Sequence, residues 1–435
     1  MRVSSHPRAF PCMFPPLSKR ACFQLVLVLS ALLATASAAL LAYGEDPYWA
    51  QFDRGLGFIC FTHRLQGVLA TLSVLMCLTV VALIVGGRRR VWWLIVLGPV
   101  QALFVHRLLS NPMRDYAIVE NPACVKAEAA AGIRDSDAVV GVQFGDVAYA
   151  YPYESLFTTP VILQSIHEQR FILIWSAFAN RAMAFKVDHE IKLGELQLVS
   201  MPANALLLYN GRVGQFINGL TGETTKHEKP AGFHGAVQTR KLNWQQWRKL
   251  HPGTFVLQPS QRGPTAALTP SYPLHRSAAT QPTGTQVIFA PTTRPVAIPI
   301  ESVGLEPANI SAGQMQLLMF RDQETGLLKA FERRVNEDLF PIFRRKTDPK
   351  RPAVAMEDQD SGTEWSADGK GIEGPFKGEQ LKPFAVEDAV NWSVMKDWYP
   401  DLQWVTPTPT SGGPGNFKNP GETKRRAPKP KKITD

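Results

Sequence analysis

The chain has 435 residues, 45% of them apolar, and a net charge of +10. That length allows two to three domains, and that apolar share is ordinary for a folded protein with a sizeable core. The charge excludes a nucleic-acid binder by its placement: residues 1–20 contribute +4, Arg88–Arg90 +3 and residues 406–435 +5, which leaves −2 for everything else and no basic face for a phosphate backbone.

In chain order, residues 1–21 form a basic N-terminus ending in Lys19 and Arg20. An uncharged apolar run follows at 22–44, about 23 residues, longer than the ~30 Å hydrocarbon core requires. A second uncharged run occupies 65–87. A third, 91–109, is uncharged only to Val105 and then meets His106 and Arg107, so crossing requires Arg107 to snorkel to the interface. Trp92 and Trp93 at its start suit the headgroup level. The bland alternative for each run is a buried core helix. Ala36-Ser37-Ala38 fits a signal-peptidase pattern, but the apolar run continues through Ala39–Ala42, which favours retention.

Basic residues set the orientation. Lys19-Arg20 and Arg88–Arg90 belong in the cytoplasm by the positive-inside rule, which puts residues from about 110 onward outside an inner or cytoplasmic membrane. If the third run merely lies on the membrane, the remainder is cytoplasmic instead. Of the five cysteines, Cys12, Cys22, Cys60, Cys77 and Cys124, Cys60 and Cys124 then face outside, either bridged or as unpaired thiols.

Beyond residue 110 the sequence repeats itself. Ala150-Tyr-Pro-Tyr-Glu-Ser-Leu156 matches Ala297-Ile-Pro-Ile-Glu-Ser-Val303, and Asn243-Trp244 with His251-Pro252 matches Asn391-Trp392 with Tyr399-Pro400 at nearly the same offset. The expected organisation is three transmembrane helices within 22–110, a first repeat at 111–259, a Pro/Ser/Thr-rich linker at 260–286, a second repeat at 287–407 and a disordered basic tail at 408–435. The expected fold is therefore transmembrane α-helices followed by a mainly β (α+β) soluble region built of two repeated units. Ala138–Phe144, Phe171–Trp175 and Gln316–Phe320 read as strands. Each repeat closes with a short helix capped by Asn243 or Asn391, pinned by Trp244 and Trp247 or by Trp392 and Met395.

With these motifs in order, Asn121-Pro122, Ala150-Tyr151-Pro152, Leu207–Asn210, Thr221-Gly222, Trp244-x-x-Trp247, His251-Pro252, then Ser361–Trp365, Gly374-Pro375 and Gly378, residues 120–407 resemble a prokaryotic, mostly exported, internally duplicated domain family of uncharacterised function. The resemblance implies a His-Glu pair near Thr159-Pro160 and a Cys-Pro-Leu-Cys-Gly-Thr strand at Ser176–Arg181. Both are absent: Ser176 and Ala179 stand where the cysteines would be. Chemistry that depends on a thiolate there is lost.

The remaining candidates are few. Glu154 and Glu301 occupy equivalent places in the repeats and would do acid–base work if a shared cleft brought them together; capping a turn or pairing with a local Arg is the alternative. Ser176 and Arg181 would join them in a rebuilt catalytic site. His227 and His234 flank a Pro-Gly turn and form a weak metal candidate, solvated loop histidines being the default. No cofactor motif appears.

The first functional expectation is thus a non-catalytic envelope module. The second is an enzyme with its site between the repeats. The third is an assembly partner of other spans, through Ala31, Ala34, Ala36 and Ala38. The expected partners are the lipid bilayer and, through the basic tail, an anionic lipid or envelope polymer.

Overall fold

The computed structural model describes residues 18–46, 55–87, 91–110, 113, 116–258, 285–335, 339–347 and 350–407, with backbone alone at 91–93 and 110. Residues 260–284 of the expected linker, the expected tail, most of the N-terminal segment and the side chains of Trp92 and Trp93 lie outside these, while Gln286, the last residue of the expected linker, begins a strand. The chain divides into two units, Met1–Asn111 and Pro112–Asp435.

The first unit is helical. Helix α1 (Lys19–Tyr43) starts at Ser18, whose Oγ accepts from the Ala21 amide at 3.2 Å. Helix α2 spans Gly55–Gly86. It starts ten residues before the expected Leu65, because His63 and Arg64 interrupt the apolar run in sequence but not the helix. The third run is a 3₁₀ segment, Val91–Leu97, followed by α3 (Gly98–Ser110), with Pro99 in the first turn, where its missing amide leaves nothing unsatisfied.

Helices α1 and α2 are long and apolar enough to cross a membrane. Their outward faces carry Leu25, Leu29, Leu32, Val68, Leu75 and Leu78, all exposed, while Ala34 and Ala38 are buried among Val100, Met76 and Phe104. Ser73 Oγ donates to the Ala34 carbonyl at 3.1 Å, which satisfies a buried hydroxyl between the helices. One ionic cluster is buried here. His63 Nδ1 lies 2.8 Å from Glu45 Oε1, Arg107 Nη2 donates to Glu45 Oε2 at 3.4 Å, and Arg107 Nη1 donates to the Leu41 carbonyl.

The second unit is mostly strand. Up to residue 258 it runs β1 (Ile118–Glu120), β2 (Cys124–Lys126), β3 (Ala138–Phe144), β4 (Val147–Pro152), a single turn α4 (Tyr153–Leu156), β5 (Val161–Ile166), β6 (Gln169–Ser176), β7 (Arg181–Val187), β8 (Leu196–Ser200), β9 (Leu207–Asn210), β10 (Gln215–Asn218), β11 (Phe233–Val237), β12 (Thr239–Asn243), α5 (Trp244–Leu250) and β13 (Phe255–Leu257). From residue 285 it runs β14 (Gln286–Ala290), β15 (Val296–Pro299), β16 (Ala308–Ala312), β17 (Met315–Arg321), β18 (Leu328–Glu332), β19 (Phe343–Arg345), β20 (Met356–Asp358), β21 (Glu364–Trp365), β22 (Gly371–Glu373), β23 (Glu387–Asn391), α6 (Trp392–Trp398) and β24 (Gln403–Trp404).

Before the linker the sheets are β12-β3-β4-β13-β2, β1-β5-β6-β7-β11 and β10-β9-β8; after it they are β23-β14-β15-β24, β16-β17-β18 and β19-β20-β21-β22. The central strand of each half is apolar on both faces, which makes it the middle of a stack. Phe171, Leu173 and Trp175 of β6 pack on Val140 and Tyr151, while Ile172 and Ile174 pack on Leu208 and Ile217. In β17, Leu317 and Met319 meet Ile288 and Ile298, while Leu318 and Phe320 meet Phe343 and Trp365.

A short helix covers the outer face of each stack. Asn243 Oδ1 accepts from the Gln246 amide at 2.8 Å, Gln246 Oε1 accepts from the Asn243 amide at 3.2 Å, and Asn391 Oδ1 accepts from the Ser393 amide at 3.1 Å. Trp244 and Trp247 are buried on Val139, Ala150 and Val256. Helix α6 buries Val394 and Met395 on Val287, Phe289 and Ala297, while Trp392 is half-buried and meets Trp404 edge-on at 5.2 Å. Parallel pairing of β13 with β4 and of β24 with β15 completes the same order of layers in each half.

Candidate functional site

The turn between β6 and β7 is where the sequence motifs and the geometry converge. Ser176 ends β6 and pairs with Arg181 at the start of β7. Asn180 between them takes a left-handed backbone, φ 48°. Ser176 is fully buried, and its Oγ has no hydrogen-bond partner among the described residues.

This turn is an anchor between the halves of the second unit. The Ala179 carbonyl accepts from the Asn391 amide at 2.9 Å, and Asn180 Nδ2 donates to the Ala389 carbonyl at 2.7 Å. Arg181 reaches Glu387 with Nε at 2.8 Å and Nη2 at 2.5 Å, while Nη1 donates to the Leu220 carbonyl at 2.6 Å and to Tyr399 Oη at 2.7 Å. Its guanidinium carbon also stands 4.9 Å from the Phe289 ring centre. Burial opposes the charge of Arg181, but Glu387 and Tyr399 outweigh it and hold the guanidinium protonated. Trp398 Nε1 adds a bond to the Ala203 carbonyl at 3.0 Å.

Lys241 stands beside this brace. It pairs across β12 and β3 with Val140, so it shares the face of a fully buried valine. Its Nζ donates to the Asn180 carbonyl, and Tyr153 Oη donates to Asn180 Oδ1 at 2.9 Å. Burial pulls the Lys241 ammonium down from 10.5 to about 8, against the pull of Glu387 and Asp388 and with the push of Arg181. Arg321 in turn pairs with Asp388 at 3.0 Å.

A pH dependence follows. Between about 8 and 10.5 the unfolded chain holds a proton on Lys241 that the folded chain has released, so stability rises with pH through that window relative to a chain without this lysine. Thermal unfolding of wild type and Lys241→Met at pH 7 and pH 9.5 checks this: the gap between them should shift in favour of wild type at the higher pH.

The other expected residues are not drawn into this site. Glu154 lies in α4 and Glu301 in the turn after β15; both are exposed, and neither makes a hydrogen bond or ion pair among the described residues. His227 Nδ1 lies 3.3 Å from Glu223 Oε2 and His234 Nε2 2.6 Å from Asp188 Oδ1, so the two histidines engage different carboxylates on the surface. Among the described residues no group of three His, Cys, Asp or Glu is placed to hold a metal. Cys60 and Cys124 are free thiols rather than a bridge, and burial raises the Cys124 thiol to about 11.

Sequence reading reached Ser176 and Arg181 but not Tyr153, Asn180, Lys241, Glu387, Asp388 or Tyr399. A lysine in strand register opposite a buried valine was the available signal, and it needs the pairing of strands a hundred residues apart.

A family model described as "Protein of unknown function (DUF3179)" matches residues 117–402. No curated protein matches the chain, and no solved structure does.

Proposed function

We propose, for a chain that belongs to the DUF3179 family, that it is a membrane-anchored, extracytoplasmic binding module with no catalysis of its own. One observation carries this. In the turn at Ser176–Arg181 each nitrogen of the single cationic side chain, Arg181, is already committed to Glu387, Leu220 or Tyr399. A guanidinium so engaged ties two layers together and is not free to act on a substrate.

Anchoring is supported by the outward-facing leucines and valines of α1 and α2. For the third run, a seven-residue 3₁₀ segment rises about 14 Å and a thirteen-residue helix about 20 Å, together roughly the thickness of the hydrocarbon core. Glu45 follows α1, His63 lies near the start of α2 and Arg107 near the end of α3. Their mutual contacts gather those three ends, which favours three passes and an exit opposite Lys19-Arg20 and Arg88–Arg90. A membrane-buried Arg107 also gains a counter-ion in Glu45. We further read the two halves of the second unit as copies of one module, since both stack helix, sheet, sheet and sheet in the same order. The basic tail would add attraction to anionic lipid or envelope polymer.

The assembly reading is weakened at Ala34 and Ala38, two of its four alanines, which are already buried inside this unit, whereas Ala31 is half-buried and Ala36 exposed. The binding-module proposal is tested on the full chain in nanodiscs by metal analysis with and without chelator. We expect substoichiometric transition metal and an unchanged unfolding temperature. A stoichiometric metal whose removal abolishes a turnover would end the proposal.

A further inference from the structure

We infer that the cluster around Lys241 is a binding site for a small oxyanion, a singly charged carboxylate or phosphate group. This rests on the binding-module proposal and gives it a ligand class.

The charges there do not balance. Arg181 is paired with Glu387 and Arg321 with Asp388, while Lys241 has no carboxylate within ion-pair distance among the described residues. Three cations therefore face two anions, in a region where burial makes an uncompensated charge expensive. The hydrogen bonds do not balance either. An ammonium carries three N–H donors, and the Asn180 carbonyl takes one. An oxyanion would accept the other two and cancel the excess charge in one step.

The surroundings fit such a ligand. Tyr153, Asn180, Lys241, Glu387 and Asp388 are all of intermediate exposure, so the cluster reaches solvent while Arg181 beneath it does not. Tyr153 supplies a hydroxyl on the same asparagine that Lys241 touches. Burial pushes that phenol up, with Asp388 adding to the push, so its one proton stays on the bond to Asn180 Oδ1, and Tyr153 acts by positioning the asparagine whose carbonyl holds Lys241.

The backbone is distorted at the same point. Ile288 of β14 faces two residues of β23, Asp388 and Ala389, because the register slips between Val287–Val390 and Phe289–Glu387. Ala389 takes φ 54°, and its carbonyl is held by Asn180, itself at φ 48°. Two non-glycine residues in left-handed conformations, bonded to each other across the two halves, hold Glu387 and Asp388 towards Arg181 and Arg321. Strain of this kind persists where the surrounding structure fixes it, and it concentrates at ligand clamps.

Thermal unfolding of the full chain in zwitterionic nanodiscs tests the inference. Sodium acetate and sodium phosphate are titrated separately at pH 7, each against sodium chloride at equal ionic strength. We expect at least one of them to raise the unfolding temperature of wild type beyond the chloride control; which one identifies the carboxylate or the phosphate source. Lys241→Met should weaken that anion by about tenfold or more, Lys241→Arg should retain it, and Tyr153→Phe should weaken it with the lysine intact. The effect should fade above pH 8 in wild type as Lys241 loses its proton. No anion effect in wild type, or an undiminished one in both Lys241→Met and Tyr153→Phe, overturns the inference and leaves the binding-module proposal standing. A turnover dependent on metal would do the reverse.

Discussion

Replacing Arg181 by methionine should destabilise the full chain by about 3 kcal/mol, at the lower end for a broken buried pair because Glu387 keeps some contact with water. The same change also strips the Leu220 carbonyl and Tyr399 Oη of their donor. In thermal unfolding of a unit of this size this corresponds to a drop of roughly 5 °C. Adding Glu387→Leu to Arg181→Met should recover at least half of the loss, since the single variant leaves Glu387 with no cation within ion-pair distance while the double variant removes both partners. A loss below about 1 kcal/mol in the single variant would mean that Arg181 is not what ties the halves together.

Trp247→Ala should cost about 3–5 kcal/mol, the range for emptying a buried aromatic site. The indole is fully buried, and its Nε1 donates to Thr254 Oγ1 at 2.9 Å. Its ring lies flat on Gly141, where an added Cβ would come within 2.3 Å of the ring carbons. Gly141→Ala should therefore destabilise by about 2 kcal/mol through overpacking. The informative variant is the double one. With Trp247 already alanine the clash disappears, and Gly141→Ala should cost far less than it does in wild type. Additive losses would contradict the packing of α5 on β3.

What the sequence disclosed was what is local. Strand β3 has the bounds expected from its run of valines, and both helix caps follow from an asparagine before a tryptophan. Helix α2 was read short because His63 and Arg64 break an apolar run without breaking a helix. The 3₁₀ start of the third run left no mark in hydropathy, because pitch does not alter composition. In the site, Arg181 stood out by replacing a motif position, but its partners Glu387 and Tyr399 lie more than two hundred residues away. The bulge that directs Glu387 and Asp388 depends on the register of β23 against β14, and no local pattern sets it. Glu154 and Glu301 illustrate the converse: equivalent positions in sequence, yet each exposed and making no hydrogen bond or ion pair among the described residues.

The central claim, a binding module held outside the membrane by three passes, is tested most directly by fusing a compartment-sensitive reporter after residue 407 of the full chain. The account predicts a signal from outside the cytoplasmic membrane. A cytoplasmic signal would contradict it, because the segment from Val91 to Ser110 would then not cross.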